Sequence, residues 1–279
     1  MRLFCTIPLI LCAAGAYAQV LNVDSVQELK LQRPVERAVI APSGEYLLLS
    51  DYNYSGLTKV DLQSKKEKIV TRAAGAGYNA KVLDNGDIVY REVTQAPLKK
   101  TAIKRYFSST GNTETIVRST RNSVVQPEST IEANNVTTGT DFQLHLTING
   151  EKRILSPLGS DKRHLWPSIS PDGKKLLFFV SADCAYVSDI DGKNAKPMGI
   201  LRAPKWYGND IIIGQRDRDN GYVTTSSSII AKNISTGKEQ VLTKDDMIAM
   251  YPSVSKNGDK ILFSTPEGKA YIIHVNVKQ

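Results

Sequence analysis

The side chains best suited to acid–base or metal chemistry are three histidines, and they lie far apart in the sequence. His145, His164 and His274 are separated by stretches with no nearby companion ligand. Zinc sites and general bases need ligands or partner groups that converge on one point. A serine hydrolase would need a Gly-x-Ser-x-Gly nucleophile elbow, and the chain has none. We therefore predict no catalytic residue, no metal ion and no cofactor.

Two further patterns have chemical potential. Residues 217–221 (Asp-Arg-Asp-Asn-Gly) resemble the start of a calcium loop, but glycine stands where a third ligand is needed and the distal glutamate is missing. We interpret this segment as a solvated connection between strands. Cys184 lies in the apolar stretch Cys-Ala-Tyr-Val, which is typical of a buried core cysteine. No intramolecular disulfide is expected in the exported protein.

The first eighteen residues have the pattern of a secretory signal. Arg2 precedes an apolar run from Leu3 to Cys12, and Ala16-Tyr17-Ala18 fits a signal peptidase site. The run is shorter than the roughly 20 apolar residues of a membrane-spanning helix. We predict cleavage after Ala18 and a periplasmic or secreted product. Lipidation at Cys12 is the alternative, although Leu11 precedes it where that signal requires a small residue.

The formal net charge is +8, and the lysines and arginines are spread along the whole chain. Because nucleic-acid binding needs a basic cluster or stripe, no nucleic-acid partner is expected. Outside the leader, no apolar segment approaches the length of a membrane span. We expect a monomer.

An internal repeat organises residues 19–279. Its clearest copies are residues 166–179 and 251–264, and residues 38–50 form a third. The turn glycines Gly44, Gly86, Gly173 and Gly258 are separated by about 42, 87 and 85 residues, that is, by one or two repeats of about 43 residues. A looser copy near Gly208 and a degenerate unit at 124–136 complete six units.

Each unit reads as a pair of β-hairpins. Pro-Asp-Gly and Asp-Asn-Gly turns join a short strand to a strongly apolar one, and a third and a fourth strand follow across polar turns. The sixth unit has only three strands, whereas residues 20–31 form a strand without a partner. We therefore predict an all-β, six-bladed β-propeller of four-stranded antiparallel blades, with the N-terminal strand completing the last blade and closing the ring.

The stretch Trp166-Pro167-Ser168-Ile169-Ser170-Pro171-Asp172-Gly173 resembles the repeat of TolB-like, WD-like propellers. The resemblance covers residues 19–279, with a full motif in about three blades, and the N-terminal α/β domain of TolB is not evident. It implies an exported propeller that binds a protein or a small ligand at the mouth of its central channel. Related propellers also occur in hydrolases and sugar lyases.

The candidate binding residues follow from propeller geometry. The loops that lead into the innermost strands share one side of the ring with the loops between the second and third strands. Aromatic and arginine side chains on that side are suited to recognition. The candidates are Arg37, Tyr52, Tyr54, Tyr78, Arg163, His164, Trp166, Arg202, Trp206, Arg218 and Tyr251.

Some of these aromatic residues have a second interpretation. Trp166, Trp206 and Tyr251 appear at matching repeat positions, which favours packing between blades. Tyr52, Tyr54 and Arg218 fall outside the repeat and are the stronger binding candidates. We predict a non-catalytic binding or scaffold module for an envelope or extracellular protein, peptide or glycan. The alternative is a polysaccharide lyase with His164, Arg163 and Arg202 in the funnel.

Overall fold

The structure is a computed structural model that describes residues 19–94, 100–119, 134–244 and 246–276. The predicted signal peptide and its cleavage site lie outside these residues, as does most of the degenerate unit at 124–136. In the described part, 23 strands form six antiparallel sheets. The helices are limited there to one short 3₁₀ turn, Tyr52–Tyr54. No helix in these ranges is long and apolar enough to cross a membrane.

The sheets are the blades of the propeller, numbered here along the chain. The strands of the first three blades are β2 (Arg37–Ile40), β3 (Tyr46–Asp51), β4 (Ser55–Asp61) and β5 (Glu67–Thr71) in blade 1; β6 (Lys81–Val82), β7 (Ile88–Thr94), β8 (Lys100–Tyr106) and β9 (Thr113–Ser119) in blade 2; and β10 (Asn135–Thr138), β11 (Leu144–Ile148) and β12 (Glu151–Leu155) in blade 3.

The remaining blades follow the same plan. Their strands are β13 (His164–Ile169), β14 (Lys175–Val180), β15 (Ala185–Asp189) and β16 (Lys196–Gly199) in blade 4; β17 (Arg202–Tyr207), β18 (Ile211–Asp219), β19 (Thr224–Asn233) and β20 (Glu239–Val241) in blade 5; and β21 (Met250–Val254), β22 (Lys260–Ser264), β23 (Ala270–Val275) and the N-terminal β1 (Val23–Glu28) in blade 6.

The predicted all-β, six-bladed propeller is confirmed. Within the described residues, five blades contain four strands and blade 3 contains three; residues 120–133, which precede β10, lie outside the described part. The predicted turn glycines all have positive φ, for example 74° at Gly173 and 73° at Gly258. Glycine is favoured there because it lacks the Cβ that makes this conformation costly for other residues.

The N-terminal strand closes the ring as predicted. β1 pairs antiparallel with β23 and becomes the outermost strand of blade 6. The residues just before it are also anchored, since the Gln240 side-chain oxygen accepts hydrogen bonds from the backbone N–H groups of Val20 and Leu21, both at 2.7 Å. Leu21 itself is buried among apolar side chains of blades 5 and 6. The first and last parts of the chain thus share one core.

Neighbouring blades are joined by apolar packing and by recurring polar contacts. Each hydrophobic cluster combines side chains of adjacent blades, such as Leu48 of blade 1 with Ile88 of blade 2. The Tyr207 hydroxyl donates to the Gly258 carbonyl at 2.6 Å, linking blade 5 to blade 6. The Tyr46 hydroxyl donates in the same way to the turn carbonyl of blade 2. The turn glycines therefore also present acceptors that hold the blades together.

A buried carboxylate stabilises the turn of blade 2. Burial raises the pKa of Asp87, but the Ser108 N–H, the Arg105 guanidinium and the Asn85 amide together outweigh it, so the pKa lies below its usual range. Arg105 donates two hydrogen bonds to one Asp87 oxygen, at 2.9 and 2.7 Å. This carboxylate is accordingly stabilised in its charged form.

Candidate functional site

The mouth face is the side of the ring that carries the loops into the innermost strands and the loops between second and third strands. On it, five side chains of blades 1, 2 and 6 gather into what we call the mouth cluster: Arg37, Tyr54, Tyr78, Arg91 and Tyr251. Four of them are among the sequence-based candidates.

Tyr54 is held in place by an unusual backbone. It lies in the loop between β3 and β4, where Asn53 and Tyr54 have φ values of 56° and 55°. Such a left-handed conformation is uncommon for tyrosine and persists only when the surroundings fix it. Here the Tyr54 carbonyl accepts a hydrogen bond from the Gly77 N–H at 2.9 Å. The loop of blade 1 is thereby tied to the segment that leads into blade 2.

Gly77 makes this close approach possible. A Cβ at position 77 would lie 2.2 Å from the Ser50 Cβ and 3.3 Å from the Tyr54 Cα. Only glycine can therefore occupy this position without a shift of the neighbouring chain. The contact brings the next residue, Tyr78, beside Tyr54, and their rings meet edge to face with centroids 5.5 Å apart. Such edge-to-face pairs are favourable arrangements of aromatic rings.

Each arginine of the cluster lies over a tyrosine ring. The Arg91 guanidinium carbon is 4.6 Å from the centroid of Tyr78, and that of Arg37 is 5.6 Å from the centroid of Tyr251. Both distances are within the range of cation–π attraction. The pKa of Tyr54 is raised by burial and, to a smaller extent, by Tyr251, whereas the nearby Arg37 lowers it. The cluster is therefore electrostatically coupled across three blades.

Tyr251 owes its orientation to a bulge in the innermost strand. In blades 4, 5 and 6 the pairing of the first two strands is interrupted at Trp166, Ala203 and Tyr251, which have φ values of 50°, 46° and 55°. The Tyr251 N–H donates to the buried Gln215 side chain at 2.6 Å. Since alanine occupies the same position in blade 5, the bulge does not itself require a large ring.

This register corrects the repeat alignment at Trp206. The position that matches Trp166 and Tyr251 is Ala203, and Trp206 lies three residues further along β17, paired with Ile212. Its indole N–H donates to the Ser168 carbonyl at 3.3 Å, and its ring packs against the core of blades 4 and 5. Trp206 is thus a blade-packing residue away from the mouth face.

Blades 3 and 4 carry a second aromatic group on the mouth face. The Arg163 guanidinium carbon lies 4.9 Å from the centroid of Phe142, a 39 % exposed ring in the loop between β10 and β11. Trp166 is 40 % exposed and contacts Phe179 at 5.4 Å between centroids. His164 is fully buried beside them. Its two ring nitrogens face the carbonyl oxygens of Phe142 at 3.1 Å and Pro157 at 2.6 Å.

The environment of His164 bears on the lyase alternative. With both ring nitrogens directed at backbone carbonyls, His164 offers neither of them to a ligand. Arg202 pairs with Asp217 at 3.1 Å, and Arg163 lies over Phe142. The other two histidines are elsewhere: His145 bonds Asp141 at 3.1 Å, and His274 lies in β23. The described residues contain no group of three or more histidine, cysteine, aspartate or glutamate side chains that could hold a metal ion.

Blade 5 extends further on the mouth face than the sequence predicted. β18 and β19 form a long ribbon, and Arg218 projects from it in an exposed position. The segment interpreted as a solvated connection is therefore mostly strand, and Asp217 within it is buried. Tyr222 at the tip is 95 % exposed, and Tyr52 in blade 1 is 78 % exposed. Neither of these two tyrosines belongs to the mouth cluster.

Sequence reasoning left two contributors out of the candidates. They are Arg91, in β7, and Phe142, in the loop between β10 and β11. Arg91 lies over Tyr78, in the segment that leads into its own blade, and Phe142 contacts Arg163, in the segment that leads into the next blade. Spacing along the chain does not reveal these contacts.

No family model matches the chain, and no curated protein matches it. Solved structures do. A putative TolB from Agrobacterium tumefaciens is similar with a TM-score of 0.57 and 14 % identity over 90 % of this chain and 91 % of that one. An oligogalacturonate lyase in complex with manganese is similar with a TM-score of 0.52 and 14 % identity over 88 % of this chain and 78 % of that one.

The chain has a TolB-like six-bladed β-propeller fold. The identity to both structures is low, so the similarity is one of fold. The two solved structures are described as different proteins although they share this fold, and a shared fold does not imply a shared function. The function of this TolB-like propeller must be argued from its own mouth face.

Proposed function

We propose that this TolB-like propeller is an exported, non-catalytic binding module that recognises its partner at the mouth face, through the mouth cluster. The observation that carries the proposal is the convergence of three tyrosines and two arginines from three blades on one place. Tyrosine and arginine dominate the energetics of recognition surfaces, because they combine large contact area with directed hydrogen bonds.

Binding without catalysis is supported by the way the nearest chemical groups are engaged. His164 bonds two carbonyls, Arg202 pairs with Asp217, and Arg163 lies over an aromatic ring. For the lyase alternative, incubation with oligogalacturonate and measurement of the ultraviolet absorbance of unsaturated products is the direct test. We expect no increase in absorbance over a protein-free control.

Export and a monomeric state complete the proposal. They rest on the leader pattern of residues 1–18 and on the closed ring, in which β1 covers the last blade. N-terminal sequencing of the protein from the envelope fraction should begin at Gln19. Light scattering of the purified protein should give the mass of one chain. A lipidated N-terminal cysteine would instead support processing at Cys12.

The binding surface can be tested by affinity capture from envelope extracts. The wild type is compared with Tyr54→Ala and Tyr78→Ala in the mouth cluster and with Ile154→Ala as a control. Ile154 is 63 % exposed on β12, the outer strand of blade 3. We expect the control to retain the wild-type partners and both tyrosine variants to lose them. Equal capture by all four proteins would contradict the choice of surface.

A further inference from the structure

Within the described residues, the two arginines of the mouth cluster lack the acidic partner that several other arginines have. Arg33 pairs with Asp51 and Glu67, Arg105 with Asp87, and Arg216 with Glu239. By contrast, among the described residues no carboxylate lies within ion-pairing distance of Arg37 or Arg91. Their contacts are instead with tyrosine rings.

The Arg91 guanidinium has a buried N–H group, at Nε, without a protein acceptor among the described residues. A guanidinium offers five N–H donors, and a buried donor that is left unpaired is unfavourable. The ring of Tyr78 holds the guanidinium from one face without accepting hydrogen bonds in its plane. Among the described residues, this N–H therefore has no acceptor.

The local charge favours an anion. Two arginines contribute positive charge to the mouth cluster, and Glu36 is the acidic group that acts on Tyr54 there. Asp51, at the start of the same loop, is paired with Arg33 at 2.7 Å. The formal charge of the whole chain, +8, adds a favourable long-range field for an acidic ligand.

We propose that the mouth cluster binds a carboxylate of an acidic peptide segment, with Arg37 and Arg91 as the anion-binding groups and the three tyrosines as the walls of the site. This inference rests on the proposed function and names the chemistry of its ligand. A guanidinium matches a carboxylate with two parallel N–H···O bonds, which gives the contact both strength and orientation.

The arrangement of the rings favours a peptide over an acidic sugar. A sugar ring stacks on an open, flat aromatic face. In the mouth cluster, however, one face of Tyr78 is covered by Arg91, and Tyr54 meets Tyr78 at an interplanar angle of 88°. Tyr251 likewise has Arg37 on its ring. Rings that stand edge-on around a cationic group can line the two sides of an extended peptide, but they offer no open face on which a sugar ring could stack.

The test uses the purified full chain and pools of fluorescent hexapeptides with randomised flanks. In matched pools one fixed position is Asp or Glu, or the isosteric Asn or Gln, and all C-termini are amidated. A third probe is fluorescent oligogalacturonate. Affinities are measured by fluorescence anisotropy for the wild type, for Arg37→Gln and Arg91→Gln, and for Arg153→Gln as a control. Arg153 lies on the outer strand of blade 3 and pairs with Glu151 on the surface.

We expect the acidic pools to bind the wild type and the control about tenfold or more tightly than the amide pools, the change that one charge-assisted hydrogen bond produces. In Arg37→Gln and Arg91→Gln this difference should disappear. Thermal melting of each variant checks that the fold is intact. If Arg91→Gln unfolds, Arg91→Lys provides the second variant, since it keeps the charge but loses the paired N–H geometry, and it should lower the affinity for the acidic pools.

Three outcomes overturn the inference. If the acidic and amide pools bind equally well and Tyr54→Ala loses this peptide binding, the site does not recognise a carboxylate, but the proposed function stands. Arginine-dependent binding of oligogalacturonate without peptide binding would replace the peptide by a glycan. Acid-dependent binding that is unchanged in both arginine variants would place the anion site elsewhere. If, in addition, capture in the envelope experiment were unchanged by the tyrosine variants, the proposed function would fail as well.

Discussion

Replacing Leu21 by alanine tests whether the N-terminal segment stabilises the closed ring, because the Leu21 side chain packs between the last two blades. Leu21 is 5 % exposed and packs with Ile213, Ile261 and Ile273 of blades 5 and 6. Removing a buried leucine side chain of this kind costs about 2–5 kcal/mol, from lost burial and from the cavity that remains. For a chain of this size each kcal/mol lowers Tm by roughly 2–4 °C. We therefore expect Tm to fall by roughly 4–20 °C.

The assay is thermal and urea unfolding followed by circular dichroism. Val26→Ala serves as the control, because Val26 lies in the adjoining strand β1 but is 37 % exposed, and its change should stay within about 0.5 kcal/mol. Deleting residues 20–31 removes the strand and should produce aggregation through the exposed edge of β23. A Leu21→Ala protein as stable as Val26→Ala would refute the closure by the N-terminal segment.

Three further predictions concern the blades. Asp87→Asn should lower the free energy of unfolding at pH 7; because the folded pKa lies below the unfolded value of about 3.9, this deficit should shrink as the pH falls below about 4, as urea titrations at several pH values would show. Gly77→Ala should cost about 1–3 kcal/mol in urea unfolding through its clash with Ser50, and should also weaken partner capture. Tyr207→Phe should cost about 1 kcal/mol by removing the hydrogen bond to Gly258, measured as a lower Tm against wild type.

Much of the architecture could be predicted because it depends on local chemistry. A turn that needs positive φ selects glycine, and an apolar run between two turns must be a buried strand. The positions of Gly44, Gly86, Gly173 and Gly258 therefore indicated both the repeat and its length.

The candidate site was less predictable, because it depends on register and on contacts between blades. Trp206 appeared equivalent to Trp166 by residue type, whereas the bulge in each innermost strand makes Ala203 the equivalent residue. A shift in register changes the side of the sheet to which a side chain points. His164 was a plausible funnel residue by position, yet it is fully buried against two carbonyls.

By itself, the sequence determined a closed six-bladed ring: turn glycines, apolar strand runs and an unpartnered N-terminal strand are all local signals. Only the tertiary structure decided which side chains meet on the mouth face. Tyr54 and Tyr78 touch because Gly77 lets two backbones approach, and Arg37 reaches Tyr251 because blade 6 closes on blade 1. Residues far apart in the chain become neighbours through ring closure, and no local pattern shows which side chains then meet.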